Sequence, residues 1–305
     1  MLDIGAGESS HPRMIAERLR PPRYDDRVTA PTIRPMLPGD VNFATEAILR
    51  ADWGDRRAWF DFATSQPECR PVVAETDGRI VGTGVGTVNG TVGWIGTIWV
   101  EPAHRGAGLG RALTNAVIDG LDAAGCRTLV LVATDKGLPL YERMGFEVQT
   151  RYQILEAPGS GPGTPVDPAV RPFTEGDLDA ILELDRGATG EDRRHAIRRF
   201  VSPESTKVLA LDGEVRGFVT RAPWGGGATI APDPVEAMRI LEARRRLSGP
   251  DGRVRVGVVT ENATGLAVLG AAGLVPVWSA PRLIRGEPLT WHPDWIWGQF
   301  NHAMG

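Results

Sequence analysis

Lysine is almost missing from this chain: Lys136 and Lys207 are the only two in 305 residues, and the other basic side chains are arginines. Cysteine is as scarce. Cys69 and Cys126 stand alone, without the spacing of a thiolate metal site or a redox pair, and nothing requires an oxidising compartment. No apolar run is long enough to span a bilayer, and the first residues lack the apolar core of a secretory signal. The cytoplasm is therefore the expected location. Net charge is −4 and the isoelectric point is near 5.8, which offers no basic surface for general nucleic-acid binding. Neither nucleic acid nor membrane is expected as a partner. The isolated histidines, His104 among them, argue against a metal site. What remains is an ordinary globular composition and a length suited to about two domains.

Glycine at alternate positions is what this sequence does have. Thr97-Ile98-Trp99-Val100 reads as a strand, ended by Glu101-Pro102. Gly106, Gly108 and Gly110 follow, and then a helix carries Leu109, Leu113, Val117 and Leu121 at intervals of four. No side chain at the helix start can cap it. Glycines let backbone amides converge without a Cβ in the way. Together with the helix dipole they make an anion site. Arg105 and Arg111 bracket it with fixed positive charge suited to phosphate oxygens. The chemistry expected here is a pyrophosphate cradle.

Around this motif the chain divides into elements. A strand at 32–36 precedes a helix begun by Pro38-Gly39-Asp40. A second helix at about 56–65 carries Trp59, Phe60 and Phe62. Two strands, 70–75 and 79–88, are joined by Thr76-Asp77-Gly78, and Asn89-Gly90 leads into the strand before the cradle. After the helix come an apolar strand at 127–133, a short helix at 137–144 and a last strand at 146–155. The order is β-α-α-β-β-β-α-β-α-β.

Arg105-x-x-Gly108-x-Gly110 resembles the coenzyme A signature of the GNAT superfamily of N-acetyltransferases, Q/R-x-x-G-x-G/A. Tyr141-x-x-x-Gly145-Phe146 is similar to a second motif of that family, and the element order fits its fold. The resemblance covers residues 31 to about 156. It implies an acetyltransferase that uses acetyl-CoA as co-substrate, and no metal. It places coenzyme A on Ile98, Trp99, Val100, Arg105, Gly106, Ala107, Gly108, Leu109, Gly110 and Arg111, with Thr134 nearby. The pantetheine arm would lie along the strand ending at Val100, where the fourth and fifth strands diverge, with a backbone amide near Val100 facing the thioester oxygen. Tyr141 would be the general acid that protonates the leaving thiolate. The general base stays open. Glu101 is one candidate, although Glu101-Pro102 also shapes a turn, and Asp135 is another; Glu75 and Asp77 suit a hairpin better. His104 suits a surface or phosphate contact. Cys126 begins a strand and is expected to be buried, which disfavours an acyl-cysteine route.

Residues 157–168 read as a Pro/Gly-rich linker, after which the first half repeats. Arg171-Pro172 echoes Arg34-Pro35, Gly176-Asp177 echoes Gly39-Asp40, Asp212-Gly213 echoes Asp77-Gly78, and Gly273 echoes Gly145. Where the second cradle should stand, residues 225–234 contain no arginine and no alternating glycines, and Asp233 puts negative charge at the phosphate position. Leu269 replaces Tyr141, whereas Asn262 aligns with Thr134.

The fold class is therefore α/β (α+β): two GNAT-like folds in tandem, each a mixed, mainly antiparallel twisted sheet flanked by helices. The division is an N-terminal arm (1–30), a catalytic domain (31–156), a linker (157–168), a degenerate domain without a coenzyme site (169–290) and an aromatic tail (291–305). The tail's Trp291, Trp295, Trp297 and Phe300 either pack on a domain or subunit or line the acceptor pocket. The acceptor would be a small-molecule amine or a peptide amine, with a homodimer possible. Asp52, Asp55 and Asp61 offer either charge for a cationic amine or ordinary helix caps. Trp53, Trp59 and Phe62 are pocket or core. A non-catalytic acyl-CoA sensor is the alternative function, and retention of Tyr141 separates the two.

Overall fold

A computed structural model of the chain describes residues 30–50, 54–224, 226–299 and 301–305. All of the expected arm except Ala30 lies outside the described residues, as do Asp52, Trp53, Gly225 and Phe300. No helix among the described residues is long and apolar enough to cross a membrane.

The first half contains β1 (Thr32–Pro35), α1 (Val41–Leu49), α2 (Arg57–Ser65), β2 (Cys69–Thr76), β3 (Arg79–Asn89), β4 (Val92–Val100), α3 (Leu109–Ala123), β5 (Thr128–Val132), α4 (Leu138–Glu142) and β6 (Glu147–Pro158). The second half runs β7 (Val170–Pro172), α5 (Leu178–Thr189), α6 (Arg194–Phe200), β8 (Thr206–Leu211), β9 (Glu214–Thr220), β10 (Thr229–Ile230), α7 (Pro234–Ser248), β11 (Arg253–Val259), α8 (Ala263–Ala271) and β12 (Val275–Gly286). The order of elements is the same. One further strand, β13 (Ile296–Gly298), lies in the aromatic tail.

The repeat extends to individual interactions. Arg34 holds Asp40 through Nη1 and Nη2 at 2.7 and 3.0 Å, and Arg171 holds Asp177 in the same way at 2.7 Å for both bonds. Each pair fastens the first strand of its half to the start of the first helix. The Arg171 guanidinium draws the Asp177 carboxyl down to about 2. Asp77-Gly78 and Asp212-Gly213 both turn their hairpins with two consecutive positive φ angles, 49° and 72° in one, 52° and 84° in the other.

The sheets are not divided as the sequence is. One eight-stranded sheet has the order β1-β2-β3-β4-β5-β12-β6-β11, and a five-stranded sheet has the order β13-β10-β9-β8-β7. The last strand of the first half does not return beside β5. Instead β12 of the second half pairs antiparallel with β5, from Arg282 opposite Val132 to Gly286 opposite Thr128. In exchange, β6 pairs with β11 of the second half, from Tyr152 opposite Val259 to Pro158 opposite Arg253. The two exchanged strands lie side by side and antiparallel. Strand β6 also runs through Ala157 and Pro158, the first residues of the expected linker.

Packing explains why the exchange holds. A buried ionic cluster ties it together: Asn89 Nδ2 and Trp94 Nε1 of the first half donate to Glu191 Oε2 of the second at 2.7 and 2.9 Å, and Arg282 of β12 approaches Oε1 at 3.8 Å. Burial pushes the Glu191 carboxyl upward. A single apolar core runs from α1 and α2 into α5, α6 and the Trp224 loop. Trp59 and Phe62 belong to it. The Trp59 ring centroid is 5.6 Å from that of Trp224, and the Phe62 centroid is 5.0 Å from that of Phe200. These aromatics, expected as pocket or core, are core. Residues 31–305 accordingly form one compact unit.

Candidate active site

Helix α3 presents the apolar stripe read from the sequence: Leu109, Leu113, Val117 and Leu121 are all buried. It lies close on β3 because Gly82, Gly84 and Gly86 leave room. A Cβ at Gly82 would stand 2.7 Å from Leu113 Cδ1, and one at Gly86 would stand 3.0 Å from Val117 Cγ1. Packing of the stripe fixes where the helix begins. Gly106 and Gly108 have φ of +86°, and a Cβ at either would meet nothing within 4 Å. Gly108 is the N-cap and supplies no side chain to the first amides. The start of α3 is thus an open, exposed turn of free N–H groups at the positive end of a 15-residue helix. Arg111 is exposed on its first turn, and Arg105 folds back so that its Nε donates to the Val100 carbonyl at 2.9 Å. These residues fit a pyrophosphate.

Strand β4 leads to this turn and parts from β5 on the way. The two pair in parallel only from Val92 opposite Thr128 to Ile95 opposite Leu131, and from Gly96 onward they diverge. On its other edge β4 carries a bulge: Val85 pairs with Gly96 and Thr83 with Trp99, so Thr97 and Ile98 together oppose Gly84. Thr97 has φ of +54°, unusual for a β-branched residue. Two side chains hold it there. Thr83 Oγ1 donates to the Thr97 carbonyl at 2.8 Å, and Trp59 Nε1 donates to Thr97 Oγ1 at 2.9 Å. The bulge re-aims the backbone of Ile98 to Val100 within the opening. Ile98 turns its side chain to the α3 side, whereas Trp99 is buried in the core with α1 and α2, so only its backbone is available to a ligand in the cleft.

Tyr141 lies on α4, beside the far wall of the splay. Its ring is buried against Phe146, with centroids 6.1 Å apart. Burial pushes the phenol up to about 12, so it keeps its proton across the neutral range. Thr134 accepts the Gly137 N–H at 3.2 Å and starts the turn that carries Tyr141; Asn262 does the same for Gly265 at 2.7 Å in the second half. Glu101 is held locally, its carboxylate 3.4 Å from Arg79 Nη2 and 3.2 Å from His104 Nδ1. Asp135 is exposed at the mouth of β5. Asp55 accepts the Arg57 N–H at 2.8 Å just before α2, and Asp61 is exposed on that helix. Both thiols are buried, which pushes Cys126 upward and Cys69 to about 12. Among the described residues no group of His, Cys, Asp and Glu is placed to hold a metal ion.

The equivalent opening in the second half is filled. Asp233 caps α7 and accepts the N–H groups of Val235 and Glu236 at 2.7 and 3.2 Å, so its carboxylate takes the place an anion would need. Strand β13 pairs antiparallel with β10 and packs beside β11, where Gly298 faces Val256. Trp297 is buried, its Nε1 donating to the Ala231 carbonyl at 3.0 Å. The tail thus lies between β10 and β11, where the first half leaves β4 and β5 apart.

Beyond β13 the tail crosses to the first half, so the tail expected to pack on a domain or line the acceptor pocket packs on both halves. Ala303 sits against Gly96, where a Cβ would stand 2.3 Å from the Ala303 Cβ. His302 lies beside Tyr152 and Trp278, with ring centroids 5.9 and 5.2 Å away. Its Nε2 is buried with no partner among the described residues. Burial, reinforced by the positive charge of Arg56, lowers its pKa from 6.5 to about 4. The unfolded chain therefore binds more protons than the folded chain between these values, and stability is lost as pH falls through this window. We expect a loss of ~1–3 kcal/mol at this site. His302→Gln should flatten the pH dependence of the denaturation midpoint above pH 4, leaving a smaller slope from His195, which burial shifts the same way. An unchanged slope would show that another group titrates there.

Comparison with known proteins agrees with this architecture. The model of the acetyltransferase (GNAT) family matches residues 40–146, and that of an acetyltransferase (GNAT) domain matches residues 181–298. The uncharacterized N-acetyltransferase YitH of Bacillus subtilis is 29% identical over 175 residues, 55% of this chain and 61% of that protein. The match therefore spans under two thirds of that relative's length. A Pyrococcus horikoshii structure assigned as an acetyltransferase shares the fold with a TM-score of 0.76 at 21% identity, covering 92% of this chain and 99% of that one. A tandem GNAT protein from the clavulanic acid biosynthesis pathway shares it with a TM-score of 0.57 at 15% identity, covering 85% and 99%. With both halves matched and the fold shared along nearly its whole length, the chain belongs to the GNAT family of acetyltransferases and is built of two GNAT domains in tandem.

Proposed function

We propose that the protein moves an acetyl group from acetyl-CoA to a primary amine by direct attack in a ternary complex, with one donor site per chain. The observation that carries this reading is the continuity of the β4–β5 opening with the uncapped glycine turn of α3. Gly106, Ala107, Gly108, Leu109, Gly110, Arg105 and Arg111 would take the pyrophosphate. Pantetheine would run along Ile98 to Val100 as an added strand, with Thr134 across the opening. A backbone N–H released by the bulge would face the thioester oxygen and stabilise the oxyanion. The amine nitrogen attacks the carbonyl carbon, the C–N bond forms and the C–S bond breaks. Tyr141 gives its proton to the departing sulfur. The ammonium formed on nitrogen loses its proton to solvent or to a carboxylate of the cleft, with Glu101 or Asp135 as candidates, and Tyr141 is reprotonated. The buried, high-pKa thiols support direct transfer over an acyl-cysteine intermediate.

The domain division read from the sequence stands as our proposed assignment, with β6 and β12 exchanged between the two domains. Tyr141→Phe tests the chemistry. It should lower kcat by roughly 100-fold while leaving donor affinity unchanged, as expected for a group acting only on the leaving sulfur. Thiol release with a library of amines is the measurement. Equal turnover in the variant would remove Tyr141 from the mechanism. Acetyl-CoA binding without thiol release from any amine would favour the sensor.

A further inference from the structure

The side of the splay away from α3 carries its own chemistry. The acceptor must reach the thioester there, because α3 and its turn occupy the donor side. Three segments far apart in sequence meet at that mouth. Helix α2 enters through Trp59, which bonds to Thr97 of the bulge. The tail enters through Ala303 against Gly96. Strand β12 enters through Trp278, whose ring lies by His302 and is half exposed. Arg56 is the N-cap residue of α2, three positions before Trp59. Its guanidinium is partly buried and makes no hydrogen bond or ion pair with any described residue. The adjacent Asp55 accepts the Arg57 N–H and acts on Arg56 through its charge, without a hydrogen bond to it. His302, close enough to feel the Arg56 charge, is neutral and has its Nε2 buried without a partner.

A half-buried arginine without an ion-pair partner among the described residues, at the mouth of a transfer site, disfavours a lysine-like or polyamine acceptor, whose charge it repels. It favours a carboxylate, which a guanidinium holds with two parallel charge-assisted hydrogen bonds. We propose that the acceptor is an α-amino acid or a close analogue, its carboxylate held by Arg56 and its side chain resting against Trp278 and His302. This rests on the N-acetyltransferase reading above. It makes Arg56 a specificity-determining residue that leaves the reacting atoms to other groups.

The test uses the full chain with acetyl-CoA and matched acceptors: α-amino acids, their carboxamides and their decarboxylated amines, with lysyl peptides and spermidine alongside. Thiol release should be at least tenfold more efficient, as kcat/KM, with an amino acid than with its amide or amine. Arg56→Ala should erase that preference by raising KM for the amino acid tenfold or more. The kcat, the KM for acetyl-CoA and the KM for the amide should stay within about threefold, and Arg56→Lys should restore part of the preference. A purely structural Arg56 would depress both members of each pair alike, and that result overturns the assignment. Turnover with lysyl peptides or spermidine alone, or equal use of amide and amino acid, also overturns it while leaving the acetyltransferase reading intact. Absence of acetyl-CoA binding would instead remove the reading on which the inference rests.

Discussion

Gly108→Glu is expected to abolish the rise in melting temperature that acetyl-CoA produces in the unaltered protein. At one hundred times its dissociation constant a ligand stabilises by about 2.7 kcal/mol, a shift of several degrees for a chain of this size. The substitution places a carboxylate in a concavity of free N–H groups, where it competes with phosphate for the same donors and the same helix dipole. It also carries a backbone cost, since φ at position 108 is +86° and a side chain in the left-handed region costs about 1–2 kcal/mol. Gly213→Glu separates the two effects. Gly213 has φ of +84° and open space around its Cβ, but it lies in the β8–β9 hairpin. That variant should lose similar intrinsic stability and keep the full acetyl-CoA shift. The second half should supply no residual shift, because Asp233 already occupies the amides at the start of α7. A shift retained in Gly108→Glu would remove the cradle from the donor site.

Trp297→Ala is expected to cost about 3–5 kcal/mol of stability, read as a lower denaturation midpoint. The indole is 2% exposed and joins two elements. Its Nε1 bonds to the Ala231 carbonyl, and β13 pairs with β10 on one side and packs beside β11 on the other. Truncation empties the opening of the second domain and leaves a buried carbonyl without its donor. Calorimetry on the variant should still count one acetyl-CoA per chain, since α7 keeps its acidic cap. Two sites would mean that the tail alone closes the second cleft. A loss below about 1 kcal/mol would mean that the tail merely lies on a preformed domain.

The sequence determined the features that depend on short spacing. The glycine turn before α3 was legible because positive-φ turns require glycine at Gly106 and Gly108, and because the α3 stripe repeats every four residues. The internal repeat was legible because a strand-to-helix clasp needs the same two residues six apart, Arg34 with Asp40 and Arg171 with Asp177. The acidic start of α7 could be read from a single residue, Asp233, whose carboxylate accepts the N–H groups of Val235 and Glu236.

Tertiary structure alone decided which strands meet. Both β6 and β12 close their halves with twelve residues of similar extended character, so either suits the open edge of β5 or of β11. The choice was made by long-range contacts, among them the buried Glu191–Arg282 approach and the aromatic seam of Trp59, Phe62, Phe200 and Trp224. Thr97 was equally hidden. Its positive φ contradicts the preference of a β-branched residue and persists because Thr83 and Trp59, fourteen and thirty-eight positions away, both bind it. The same holds for the acceptor mouth. Arg56, Trp278 and His302 carry no common motif, and only the crossing of the tail from the second domain to Gly96 brings them together. Short spacing encodes the geometry that one backbone segment adopts by itself, whereas a mouth lined by Arg56, Trp278 and His302 is assembled only by the packing of both domains.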